Sequence, residues 1–150
     1  MSDYTIRRAR RDDVAAIVRM LADDQLGATR DDPHDLDPYL RAFEQMAADP
    51  NQLLVVVTSD DEPVGTLQLT IIPGLARRGA LRGQVEAVRI HADHRGSGLG
   101  ADLMHWAIDE SRRRGCALVQ LTSDVSRTDA HRFYERLGFV ASHTGFKLKL

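Results

Sequence analysis

The segment Arg95-Gly96-Ser97-Gly98-Leu99-Gly100 stands between an apolar run patterned as a strand, from about Gln84 to His91, and a helical spacing at Leu99, Leu103, Trp106 and Ala107. A strand that enters a glycine-rich turn and leaves it as a helix confines the chain to folds that mix both elements. Successive small residues let backbone N–H groups converge, and a helix N-terminus adds partial positive charge, so the turn suits phosphate oxygens. Arg95 sets a full charge beside it. A turn whose glycines serve only close helix-to-sheet packing remains the alternative at this point.

The rest of the chain fills in around that unit. Tyr4 to Arg8 is a short strand, and Val14, Ile17, Val18 and Leu21 mark an amphipathic helix after Asp12. A second helix carries Leu36, Tyr39, Leu40, Phe43, Met46 and Ala47, with Pro38 in its first turn. Leu53 to Val57 and Val64 to Ile72 form a hairpin across Ser59-Asp60-Asp61-Glu62, and a basic loop with Arg77, Arg78 and Arg82 leads to the strand before the glycines. Ala117 to Thr122 is a further strand, and Ser126 with Asp129 reads as a capping box opening a helix through Leu137. Phe139 to Ser142 and the alternating Phe146-Lys147-Leu148-Lys149-Leu150 close the chain as a strand pair. The order β-α-α-β-β-β-α-β-α-β-β predicts an α/β (α+β) fold: a mixed, mostly antiparallel sheet of about seven strands with helices on both faces, in one domain over 1–150.

Charge and cysteine usage narrow the setting. Twenty Lys plus Arg against 22 Asp plus Glu leave a net charge of −2, without the broad positive field of a nucleic-acid binder. A single cysteine, Cys116, rules out an intramolecular disulfide. The N-terminus is charged where a signal peptide is apolar, and the longest aliphatic run is Leu53 to Val57. A cytoplasmic protein with neither membrane nor nucleic-acid partner is expected.

A nucleotide-triphosphate P-loop needs Lys and Ser or Thr after its last glycine, but Gly100 is followed by Ala101 and Asp102. A dinucleotide fingerprint needs G-x-G-x-x-G near a first strand, but these glycines fall late, at 96, 98 and 100. The spacing Arg95-x-x-Gly98-x-Gly100 after Val88-Arg89-Ile90 resembles the acyl-CoA pyrophosphate loop of the GNAT superfamily of N-acetyltransferases. Ala130-His131-Arg132-Phe133-Tyr134-Glu135-Arg136-Leu137-Gly138-Phe139 is similar to that superfamily's penultimate helix with its Tyr-x-x-x-Gly-Phe ending. The resemblance spans nearly all 150 residues. It implies two parallel strands that splay apart to admit acetyl-CoA as cosubstrate, with no metal. The cofactor-binding set it implies is Val88, Arg89 and Ile90 by backbone, Arg95, Gly96, Ser97, Gly98, Gly100 and Ala101 at the pyrophosphate, and Tyr134.

Acetyl transfer from a thioester to an amine needs a neutral nucleophile, a polarised carbonyl and a proton for the thiolate. By resemblance, Tyr134 is the catalytic acid, the alternative being a core aromatic with its hydroxyl bonded to backbone. Period-2 alternation places Glu86 on one face with Val88 and Ile90, where apolar neighbours suit a general base; a structural ion pair with Arg82 or Arg89 is the competing reading, and a bulge would reverse the face. Gln84 could orient water or substrate. Arg127 stands where the family often has Asn, which leaves its contact to CoA in doubt. His91 and His94 lack the partners of a zinc site, and Cys116 lacks a nucleophile's helper.

The expected function is therefore N-acetylation of a small-molecule primary amine by direct attack in a ternary complex. Alternatives are a non-catalytic acyl-CoA-binding module, an acetyltransferase acting on a protein lysine or N-terminal amine, and a nucleotide-binding oxidoreductase fragment. The acidic stretch Asp23, Asp24, Asp31, Asp32, Asp35 and Asp37 would attract a cationic acceptor if it faces inward, and otherwise consists of capping and loop residues. The oligomeric state is left open, a homodimer included.

Overall fold

In this computed structural model, which describes residues 3–150, strand β2 (Gln52–Ser59) is apolar on both faces, and its two sets of alternating side chains sort the layers. Leu53, Val55 and Val57 pack in one cluster with Leu103, Met104 and Ala107 of helix α4 (Leu99–Arg113). Val56 packs on the other side with Ile17 and Met20 of helix α1 (Val14–Ala22). Helices thus cover both faces of the sheet, as the alternation of apolar runs predicts.

The remaining elements are β1 (Tyr4–Arg8), α2 (Asp37–Ala48), β3 (Glu62–Ile72), the single turn α3 (Ala76–Gly79), β4 (Leu81–Ile90), β5 (Cys116–Leu121) and α5 (Thr128–Arg136). The sheet runs β1-β2-β3-β4-β5, antiparallel throughout except for the parallel pair β4–β5. That pair is joined by the crossover helix α4, as parallel neighbours require. Gly83 makes the crossover tight, since a Cβ there would lie 2.4 Å from Ser111 Oγ on α4. No helix among the described residues is long and apolar enough to cross a membrane.

Three expectations need correction. The sheet has five strands, not about seven: residues 139–142 and 146–150 are in no strand, and Phe146 and Leu148 are 91% and 87% exposed. Their alternation marks a strand, but among the described residues no neighbour supplies the ladder. The capping box at Ser126 does not form, because its hydroxyl and N–H both turn to Asp124 Oδ1, at 2.6 and 2.9 Å, in an Asx-type turn. The basic loop winds into a left-handed turn, with Arg77 at φ 56° and Arg78 at φ 61°.

Asp13 anchors the corner between β1 and α1. Its carboxylate is 8% exposed and accepts Arg7 Nη1 at 2.7 Å, Arg7 Nη2 at 3.1 Å and the Arg10 N–H at 2.7 Å. Burial pushes its pKa up, but the hydrogen bonds and charges of Arg7 and Arg10 outweigh this and hold it below the usual carboxylate value.

Candidate active site

Strand β5 pairs with β4 only from Leu81 to Val85, while β4 continues to Ile90. The two parallel strands therefore part, leaving the β5-side edge of residues 86–90 without a ladder. His91 donates its N–H to Val64 O on β3 at 2.8 Å, so by alternation the N–H groups of Val88 and Ile90 point into the opening. Their carbonyls are taken by guanidinium groups: Val88 O accepts Arg89 Nη1 at 2.9 Å, and Ile90 O accepts Arg95 Nε at 3.1 Å.

An extra residue in β4 decides which side chains face which layer. Thr66 pairs with Arg89 and Gln68 with Glu86, two steps on β3 against three on β4, with Ala87 at φ 55° as the bulge. Glu86, Val88 and Ile90 consequently do not share a face, contrary to plain alternation. Val85, Val88 and Ile90 pack in the cluster beneath α4. Glu86 and Arg89 instead share the face of their partners Gln68 and Thr66, which line a cavity of about 350 Å³ with Tyr39 and Met46 of α2 and Ala87. Glu86 is exposed rather than set among apolar side chains. It ends a chain of amides in which Gln120 Nε2 donates to Gln84 Oε1 at 2.8 Å and Gln84 Nε2 donates to Glu86 Oε1 at 2.9 Å. Gln84 thus touches Glu86, and Gln120 joins from β5, where only the parallel register could have revealed it.

The glycine turn lies at the end of the opening. Gly96 and Gly98 have φ of 80° and 86°, in the left-handed region that glycine enters freely, and a Cβ at either would meet nothing within 4 Å. Gly98 caps α4 without a side-chain hydrogen bond, so the N–H groups of the first turn, Gly100 and Ala101 included, stay available. Ser97 turns its hydroxyl to His94 O at 2.5 Å, and the exposed Arg95 sits 3.6 Å from Asp23.

On α5, Tyr134 stacks at a tilt on Phe133, with centroids 5.3 Å apart, and edge-on to Phe139 at 6.1 Å. Its hydroxyl makes no hydrogen bond among the described residues. Burial pushes the phenol above its ordinary pKa, and the charges of Arg89 and Arg127 offset part of the rise. The half-buried Cys116 thiol is also pushed up by burial, with Arg114 pulling slightly against it, which opposes thiolate chemistry.

The acidic stretch is largely engaged. Asp24 accepts the Gly27 N–H at 2.5 Å and Arg127 Nη2 at 3.0 Å, with Arg89 Nε at 3.5 Å. Burial pushes the Asp24 carboxyl up, and Gly27, Arg127 and Arg89 bring it below the usual value. Asp31 accepts the Tyr39 hydroxyl, Asp32 accepts the His34 N–H, and Asp35 accepts the Asp37 N–H. Arg127 therefore ties α5 to the loop after α1. The sequence gives no sign of this pair, whose members lie 103 positions apart. His91 and His94 stack edge-on at 6.0 Å, with His94 Nδ1 bonded to Tyr4 Oη at 3.1 Å.

Residues 15–139 match the family described as acetyltransferase (GNAT). The chain belongs to this GNAT family. Its activity class is N-acetyl transfer from acetyl-CoA. The GNAT chain is 30% identical over 112 residues to the aminoalkylphosphonate N-acetyltransferase of Salmonella typhimurium, covering 75% of this chain and 72% of that protein. It is 37% identical over 87 residues to the glucosamine 6-phosphate N-acetyltransferase of Trypanosoma brucei brucei, covering 58% of this chain and 57% of that one. A crystal structure from Bacillus halodurans, described as a transcriptional regulator, is 45% identical with a TM-score of 0.95, over 99% of this chain and 100% of that one. The uncapped first turn of α4 and the open faces of Gly96 and Gly98 suit the pyrophosphate of the acetyl donor that a GNAT enzyme uses.

Proposed function

We propose that this GNAT enzyme acetylates the primary amine of a small molecule by direct attack within a ternary complex, in the cytoplasm and as one unit over 1–150. The observation that carries the reading is the parting of β4 from β5 after Val85, with the glycine turn at its end. Val88, Arg89 and Ile90 offer backbone to the donor's pantetheine arm, one N–H of this run polarises the thioester carbonyl, and Arg95, Gly96, Ser97, Gly98, Gly100 and Ala101 hold its pyrophosphate. Glu86 takes a proton from the amine, directly or through water, on the face that lines the cavity. The N–C bond forms as the C–S bond breaks, and Tyr134, whose phenol stays protonated at neutral pH, gives its proton to the leaving sulfur.

The acceptor carries an anionic group besides its amine. Arg89 and Arg127 flank the carboxylate of Asp24, and Arg30 adds a third cation near Arg89, against the two carboxylates of Asp24 and Asp124, while Asp31 is engaged by Tyr39 and Asp32 and Asp35 by their own turns. The names of the Salmonella and Trypanosoma relatives, with phosphonate and phosphate acceptors, support the same charge.

Thiol release measured over a panel of amines tests this. An aminoalkylphosphonate or amino-sugar phosphate is expected to exceed a polyamine in kcat/KM by about tenfold or more, equivalent to about 1.4 kcal/mol of transition-state binding. Preference for the polyamine would return the acidic stretch to the acceptor site. Glu86→Gln is expected to lower kcat by about 10²-fold, with acetyl-CoA affinity unchanged. Equal turnover by the variant would assign the proton to water alone.

A further inference from the structure

Helix α2 repeats its apolar residues at helical spacing, yet none of its residues is buried. Tyr39, Phe43 and Met46 fall at i, i+4 and i+7 on one face and stay half-buried, because that face looks onto the cavity of about 350 Å³ rather than onto packed side chains. Ile17 and Val18 of α1 and Leu54 of β2 add to the apolar lining. The polar side chains of the lining are largely spent within the protein. The Tyr39 hydroxyl donates to Asp31 Oδ1 at 3.0 Å and accepts the Asp32 N–H at 2.9 Å, the Thr66 hydroxyl donates to Val55 O at 3.0 Å, and the Gln68 amide donates to Gln52 Oε1 at 3.0 Å. A polyhydroxylated body would strand its hydroxyls here, whereas a hydrocarbon would cover the open face of α2. A void of roughly 150 Å³ lined by such residues already holds a benzene ring. This larger cavity has room for an aryl ring and the atoms that carry it.

Two charged groups mark the β4 margin of the cavity. Glu86 stands opposite Gln68 and Arg89 opposite Thr66, and both partners line it. Arg89 Nε is buried and donates no hydrogen bond among the described residues, and the carboxylate it faces at 3.5 Å, Asp24, is shared with Arg127. We propose that the acceptor carries three groups on one small frame: the primary amine, an acid, and an aryl or branched alkyl side chain. The side chain fills the cavity beneath α2, the acid meets Arg89, and the amine comes to Glu86. This assignment rests on the anionic-acceptor reading and adds to it the apolar third group. An amino-sugar phosphate satisfies the charge but not the lining, while an amino acid or aminoalkylphosphonate with an apolar side chain satisfies both.

Thiol release from acetyl-CoA is measured with matched acceptors: phenylalanine against glycine, and the aminophosphonate analogue of phenylalanine against that of glycine. In whichever acid series is turned over, the phenyl-bearing member should exceed the other in kcat/KM by about tenfold or more. Phenethylamine against methylamine repeats the pair without the acid. The side-chain ratio should persist there while both amines fall below their acids; a ratio that persists with no such fall would remove the anionic reading and leave the apolar site standing. Met46→Gln, similar in size and placed in the lining, should reduce the ratio by about threefold or more. Because both acceptors meet the same enzyme, that ratio does not depend on how much of the variant folds. Calorimetric titration of the enzyme–CoA complex with each acid makes the same comparison without turnover. Equal or reversed ratios, an unaltered ratio in Met46→Gln, or neither turnover nor binding of any phenyl-bearing acid would each overturn the assignment.

Discussion

Tyr134→Phe is expected to lower kcat by about 10²-fold or more, within the range that a positioned proton donor contributes. Acetyl-CoA affinity should stay within about twofold of the parent, because phenylalanine keeps the ring packing on Phe133 and Phe139 that holds this stretch of α5. The loss then falls on the chemical step rather than on binding. The sign of the pH dependence follows from the same burial: a phenol held above its ordinary value of about 10 keeps its proton across neutral pH. The acid form is thus present throughout the working range, and the parent should show no Tyr134-dependent fall in kcat until pH passes above that value. The unbonded hydroxyl sharpens the expectation, since removing it leaves no backbone group orphaned. Steady-state thiol release together with calorimetric titration of acetyl-CoA checks both halves, and equal turnover by the variant would take the proton from Tyr134.

Asp13→Ala should cost about 3 kcal/mol, because it removes a buried carboxylate with three charge-assisted hydrogen bonds and leaves the half-buried Arg7 guanidinium only Arg8 O and the more distant Asp61. Against a typical total of about 5–15 kcal/mol this is a severe loss, and at about 2–4 °C per kcal/mol it should lower Tm by about 10 °C. Asp13→Asn keeps the shape and some of the hydrogen bonding and should fall between. The carboxyl pKa is lower in the folded chain than in the unfolded one, so its stabilisation is complete above the unfolded value of about 3.9 and drains away as pH falls through the folded value beneath it. Denaturant unfolding at neutral and acid pH checks this: the gap between parent and Asp13→Ala should narrow in acid. A gap unchanged down to pH 2 would assign the loss to packing instead of charge.

Strong periodicity made most of the fold legible. The second helix reads from Leu36 to Ala47 and runs Asp37–Ala48, and the hairpin, the crossover helix and the strand after Gly115 fall where their patterns put them. Pattern alone cannot say whose edge a strand joins, which is why the closing pair was misplaced: alternation in Phe146–Leu150 reports one apolar face and nothing about its neighbour. The bulge was equally hidden. Ala87 carries no residue type that announces a positive φ, yet that one extra residue moves Glu86 to the face opposite Val88. At the site, the glycine turn and Tyr134 were legible because local motifs carry them. Arg127 with Asp24, and Gln120 with Gln84, were not, because long-range contacts made by ordinary polar residues leave no local trace.

The uncovered tail also bears on how the protein can be handled. Five residues with three bulky apolar side chains at alternate positions make a short cross-β template, open to any unpaired strand. Lys147 and Lys149 are its gatekeepers, since stacking such segments in register would crowd like charges along each ladder. Neutralising those two exposed lysines is therefore expected to favour stacking of the tail, a liability set by two side chains outside the core.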